Sequence, residues 1–160
     1  MPFLGPLPRP NPQDLLRGRL RGSVYDLYLQ ADRWFSSKAD GPGEEVHVAL
    51  SRISSLYTEH GPLLRAIVEV STYDEEIAVF WRALLQRFAD ATAARIEHEQ
   101  AAGRAQGVPA AATGFALVWM TERTFYQQLV QGAPVPPEEA VAALEGIWLR
   151  AVYGSTAPAG

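Results

Sequence analysis

Apolar residues recur along this chain at three-and-four spacing between clusters of Gly and Pro, a pattern that predicts helices joined by short turns. Asn11-Pro12-Gln13-Asp14 is a helix opening, with a capping side chain, Pro at the first helical position and an acid facing the positive end of the dipole. Gly18 and Gly22 each weaken the following turns by about 1 kcal/mol relative to Ala, so residues 12–22 are expected to fray. The firm first helix is placed over 23–37 behind the capping-box-like Ser23-Val24-Tyr25-Asp26, with Leu20, Val24, Leu27, Tyr28, Ala31, Trp34 and Phe35 inward. A loop at 39–43 leads to a second helix over 44–59. Gly61-Pro62 is expected to end it, with Gly61 in the left-handed closing conformation, and 63–70 fits a short third helix. The longest helix opens on Tyr73-Asp74-Glu75-Glu76 and runs to about Ala102. Its inward stripe is Ile77, Trp81, Leu84, Leu85, Phe88, Thr92 and Ile96, with Arg95, Glu97 and Glu99 elsewhere on the wheel. A fifth helix over 110–130 is apolar around most of its circumference, and a sixth runs from Glu138 until Gly154 closes it. No β-alternating run and no internal repeat stands out, so the fold class is all-α with about six helices.

These helices form one domain, 12–154, between a Pro-rich arm, 1–11, and a tail, 155–160. At 160 residues the chain can bury roughly two thirds of its unfolded surface, so no second domain is needed. Hydrophobic residues at 48% against 20% charged predict a packed globule rather than a disordered chain. The net charge of −4 provides no global field for holding phosphates. With no cysteine, disulfides, thiolate metal sites and cysteine nucleophiles are excluded. The prolines of the arm rule out the apolar core of a signal peptide, and no apolar run approaches the roughly 18 residues of a membrane span.

Candidate chemistry is sparse. Glu44 and His47 have the Glu-x-x-His spacing of di-iron bundles, but no second copy exists, and the acids suit a helix N-terminus; no metal is expected. His47, His60 and His98 are scattered, and nothing suggests a catalytic triad. Arg17-Gly18-Arg19-Leu20-Arg21-Gly22 is the one basic cluster, read as a solvated helix face because Leu20 lies on the apolar stripe. Aromatics at helical spacing are usually core, yet Thr92, Thr121 and Glu122 share their inward faces, and polar groups converging in an apolar interior are how binding sites fix a ligand. Core and pocket both stand open on the residues alone. Glu122 and Arg123, adjacent on a helix, point about 100° apart and are not expected to pair with each other; Glu122 either meets a ligand or joins a buried ion pair. The fifth and sixth helices carry more apolar faces than one six-helix core can cover, which predicts self-association, with Trp119 and Leu149 as the outward positions.

The run Met120-Thr121-Glu122-Arg123-Thr124-Phe125-Tyr126 and the later Ile147-Trp148-Leu149-Arg150-Ala151-Val152-Tyr153-Gly154 resemble the last two helices of TetR-family regulators of the EthR-like kind. Gln30-Ala31-Asp32, His60 and Trp81 extend the resemblance over roughly residues 20–154. It implies a TetR-type C-terminal regulatory domain whose aromatic tunnel holds a small hydrophobic effector and whose last two helices make a homodimer. On that reading the ligand residues are Ile53, Tyr57, Trp81, Leu85, Phe88, Thr92, Val118, Thr121, Glu122, Tyr126 and Trp148. Val118 and Thr121 stand where a close relative has amide side chains, which sets this chain's ligand preference apart. The family's helix-turn-helix has no counterpart in the Pro-rich arm, and Trp34-Phe35-Ser36-Ser37-Lys38 matches its ending only by coincidence, so this chain alone is not expected to read DNA. The resemblance further implies a cytoplasmic regulator that is not an enzyme, needs no cofactor and has no membrane partner. The rival expectations are a small helical enzyme using the tunnel and a dimeric interaction protein with no ligand.

Overall fold

The computed structural model describes residues 5, 9, 11–35, 42–132 and 135–154, and the side chains of all of these except 27–35 and 42. The fold is all-α: α1 (Pro12–Phe35), α2 (Pro42–Glu59), α3 (Gly61–Val70), α4 (Glu75–Ala101), α5 (Ala110–Phe125) and α6 (Pro137–Tyr153). A π-helical turn, Tyr126–Val130, extends α5, and there is no strand among the described residues. No helix among them is long and apolar enough to cross a membrane. Of the expected loop at 39–43, residues 39–41 lie outside what is described, as do most of the arm, the tail and the side chains from Leu27 to Phe35, while Pro42 and Gly43 already belong to α2.

Capping chemistry accounts for four of the helix ends. Asn11 accepts from the Gln13 N–H at 3.0 Å, and Asp74 caps α4 by accepting from Ile77 N–H at 3.2 Å. Gly103 and Gly154 take positive φ, 72° and 77°, just past α4 and α6, a conformation that side-chain-bearing residues avoid. The short loop between α4 and α5 folds them into a hairpin, the most extensive helix pair in the molecule. Gly114 makes the close approach possible: a Cβ there would lie 2.7 Å from the Ala89 carbonyl oxygen and 3.0 Å from Ala93 N. α6 packs on α2 and α5, while α1 crosses α2, α3 and α4. All seven residues expected on the α4 stripe are buried.

Four expectations are corrected. α1 does not fray over 12–22 or restart at Ser23; it is continuous from Pro12, because tertiary contacts outweigh the two glycines. Leu20 and Val24 are buried, Arg17 pairs with Asp74 at 2.6 Å, and Arg21 lies over the Phe80 ring at 5.6 Å. Gly61 is not a left-handed closing residue but the buried first residue of α3, the chain turning at His60 instead. α5 is not α-helical to Val130, since its last turn widens to π geometry. Leu149, expected outward, is only 5% exposed: α6 is covered on a broad arc that runs from Ala140 through Trp148 to Leu149.

Candidate functional site

Where α2, α4, α5 and α6 meet there is a cavity of about 30 Å³, lined by Ile53, Tyr57, Leu85, Phe88, Val118, Thr121, Glu122 and Trp148. Helical spacing brings them together. Ile53 and Tyr57 are one turn apart on α2, as are Leu85 and Phe88 on α4 and Val118, Thr121 and Glu122 on α5. All eight belong to the set read from the sequence; Trp81, Thr92 and Tyr126 are buried but stand off the wall. The Thr92 hydroxyl donates to the Phe88 carbonyl at 2.8 Å, and the Tyr126 hydroxyl accepts from Gln131 Nε2 at 2.8 Å. At this size the cavity is a small chamber rather than an open tunnel, since pockets for small molecules run to roughly 300–1,000 Å³.

Polar groups in the wall divide sharply. Trp148 Nε1–H donates to Thr121 Oγ1 at 2.9 Å, a buried bond that joins α5 to α6 and fixes the indole. Glu122 is the opposite case: its side chain is 2% exposed, yet neither carboxylate oxygen has a hydrogen-bond partner among the described residues. Burial therefore pushes its carboxyl above the usual range, and Arg123 offsets this only in part. Contrary to the sequence expectation, the neighbours do approach, with Arg123 Nε 3.6 Å from Glu122 Oε2, because the long Arg side chain curls back across the helix surface. That distance is an ion pair without a hydrogen bond. Arg123 is half-exposed and its guanidinium lies over the Tyr126 ring at 5.3 Å.

Around this site the frame is pinned by groups the sequence reading passed over. Arg65 donates to the Val130 carbonyl, which the π-helical turn leaves without a helical partner. Glu99, expected off the inward stripe, is buried and accepts from Arg104 Nε at 2.7 Å and Arg95 Nε at 3.0 Å. These hydrogen bonds, that of Arg104 foremost, hold its carboxyl below the usual range against the opposing effect of burial. Its position seven residues past Thr92 and three past Ile96 was the available signal. His47 does not work with Glu44: its Nδ1 lies 2.7 Å from Glu145 Oε2 on α6. Among the described residues no three His, Cys, Asp or Glu side chains gather as a metal site would require. A wider hollow of about 300 Å³ lies between the start of α1 and the α3–α4 corner, where Arg17 pairs with Asp74, Asp14 and Glu76. It lacks the unpartnered buried group that marks the smaller cavity.

The all-α architecture is consistent with a regulatory domain of the TetR type. The sequence model described as "Transcriptional regulator EthR, C-terminal domain" matches residues 46–154, and the chain belongs to that family. Over 140 residues it is 32% identical to the "HTH-type transcriptional regulator EthR" of Mycolicibacterium smegmatis, an alignment covering 84% of this chain. The same alignment covers 64% of the relative, so the chain spans just under two thirds of that protein's length.

Proposed function

We propose that this chain senses a small hydrophobic effector in the cavity between α2, α4, α5 and α6, and pairs with a second copy through α5 and α6. The observation that carries the reading is Glu122, a buried carboxyl with no hydrogen bond to either oxygen in a mostly aromatic and aliphatic wall. Buried polar groups are as a rule hydrogen-bonded, so such a group calls for a donor. The cavity is the closed state of the site. An effector enters by displacing side chains, and Trp148, held by a single hydrogen bond to Thr121, is the one whose movement enlarges the chamber between α5 and α6. Binding stabilises the enlarged arrangement in proportion to its preference for it, which is population shift. In a protein where this domain is joined to a helix-turn-helix, that shift would alter the spacing of the DNA-reading heads.

The pairing surface is carried by residues other than Leu149. Phe115 and Ile147 are 48% and 44% exposed on α5 and α6, and half-buried Trp119 stacks near Phe115 with ring centroids 6.0 Å apart. The effector reading is tested by titrating apolar amphiphiles against the intact chain while following tryptophan fluorescence and thermal unfolding. A true ligand at a hundredfold excess over its dissociation constant adds about 2.7 kcal/mol of stability. Fluorescence and melting that stay unchanged across the whole panel would refute it.

A further inference from the structure

We propose that the effector carries an ammonium group on an apolar body, with Glu122 as its counter-ion. This rests on the reading of the cavity as an effector site and adds the chemistry of the headgroup. Thr121 Oγ1 already accepts from the Trp148 indole, whereas neither oxygen of Glu122 has a hydrogen bond. Burial alone favours the protonated carboxyl, and a bound cation draws it to the ionised form, in which both oxygens need donors. A ligand carbonyl or ether offers none and an alcohol offers one, whereas an ammonium brings up to three N–H donors together with the opposite charge. The surrounding rings agree with this choice: Tyr57, Phe88 and Trp148 line the same chamber, and aromatic faces beside a carboxylate are the established way of holding organic cations. Arg123 does not fill the role, because it stops at 3.6 Å with no hydrogen bond, half-exposed and with its guanidinium over the Tyr126 ring. The chamber of about 30 Å³ is of headgroup size, so the ammonium enters existing space while the apolar body is what moves side chains.

Octylammonium, octanol and octanoate share one apolar body and differ in the headgroup. Titrated against the intact chain by calorimetry, octylammonium is expected to bind about tenfold more tightly than octanol, with octanoate weakest. Glu122→Gln is expected to bring the octylammonium-to-octanol ratio close to one. Octanol binding as well as or better than octylammonium would overturn the ammonium assignment while leaving the effector site standing, and so would a preference that survives Glu122→Gln. If none of the three binds the parent chain, the effector reading falls and the headgroup assignment with it. The comparison among ligands on the parent chain decides the matter even where the variant fails to fold.

Discussion

Burial raises the proton affinity of Glu122, whereas the hydrogen bonds of Arg104 and Arg95 lower that of Glu99, so the two acids push the pH dependence of stability in opposite directions. For Glu122 the folded state keeps a proton that the unfolded chain has released, and stability is lost as pH rises from the ordinary carboxylate range through the folded value. For Glu99 stability is present above the ordinary range and is lost as pH falls through the folded value. Urea unfolding followed from about pH 3 to 8 should show the alkaline-side loss disappear in Glu122→Gln and the acid-side loss disappear in Glu99→Gln. Phe88→Ala should cost about 3–5 kcal/mol, since a wall this closely packed has little slack to absorb the lost ring. A much smaller cost would mean the chamber is already hollow in solution. Inward faces of helices follow directly from spacing, which placed Ile53, Tyr57, Phe88 and Glu122 inside, while their grouping as one wall came from the family resemblance. Pairing was not legible in the same way: that Thr121 is taken by Trp148 while Glu122 is left alone depends on how α5 and α6 lie against each other, which no local pattern encodes.

Among the elements, α4 and α5 are held at the distance Gly114 allows. Gly114→Ala gains helix propensity of about 1 kcal/mol but drives a methyl into the Ala89 carbonyl, so a net destabilisation of about 1–3 kcal/mol is expected by urea unfolding. Gly18 and Gly22 offer the contrast. A Cβ at either meets nothing within 4 Å, and alanine there should stabilise α1 by up to about 1 kcal/mol each. Helix ends marked by Asn11, Asp74, Gly103 and Gly154 could be read from the sequence because capping chemistry is local. The continuity of α1 and the π-helical turn could not, because distant groups bear on each: Asp74 pairs with Arg17, and Arg65 donates to the carbonyl of Val130.

For the molecule as a whole, the exposed rings and aliphatics of α5 and α6 predict a dimer that Phe115→Glu and Ile147→Glu together convert to a monomer, read by light scattering at micromolar concentration. The 160-residue chain, with net charge −4, should give no sequence-dependent gel shift even at low salt. Ile147 and Trp148 are chain neighbours on different sides of α6, one on the exposed face and the other in the cavity wall. If, as proposed, an effector displaces the indole and a second copy rests on α6, moving the indole would shift that helix and link the two equilibria thermodynamically. Linkage is reciprocal: whatever factor the effector applies to subunit affinity, subunit association must apply to effector affinity. Effector affinity measured on a dilution series crossing the subunit dissociation constant should then change by that same factor, and a value independent of protein concentration would mean that the two faces of α6 do not communicate.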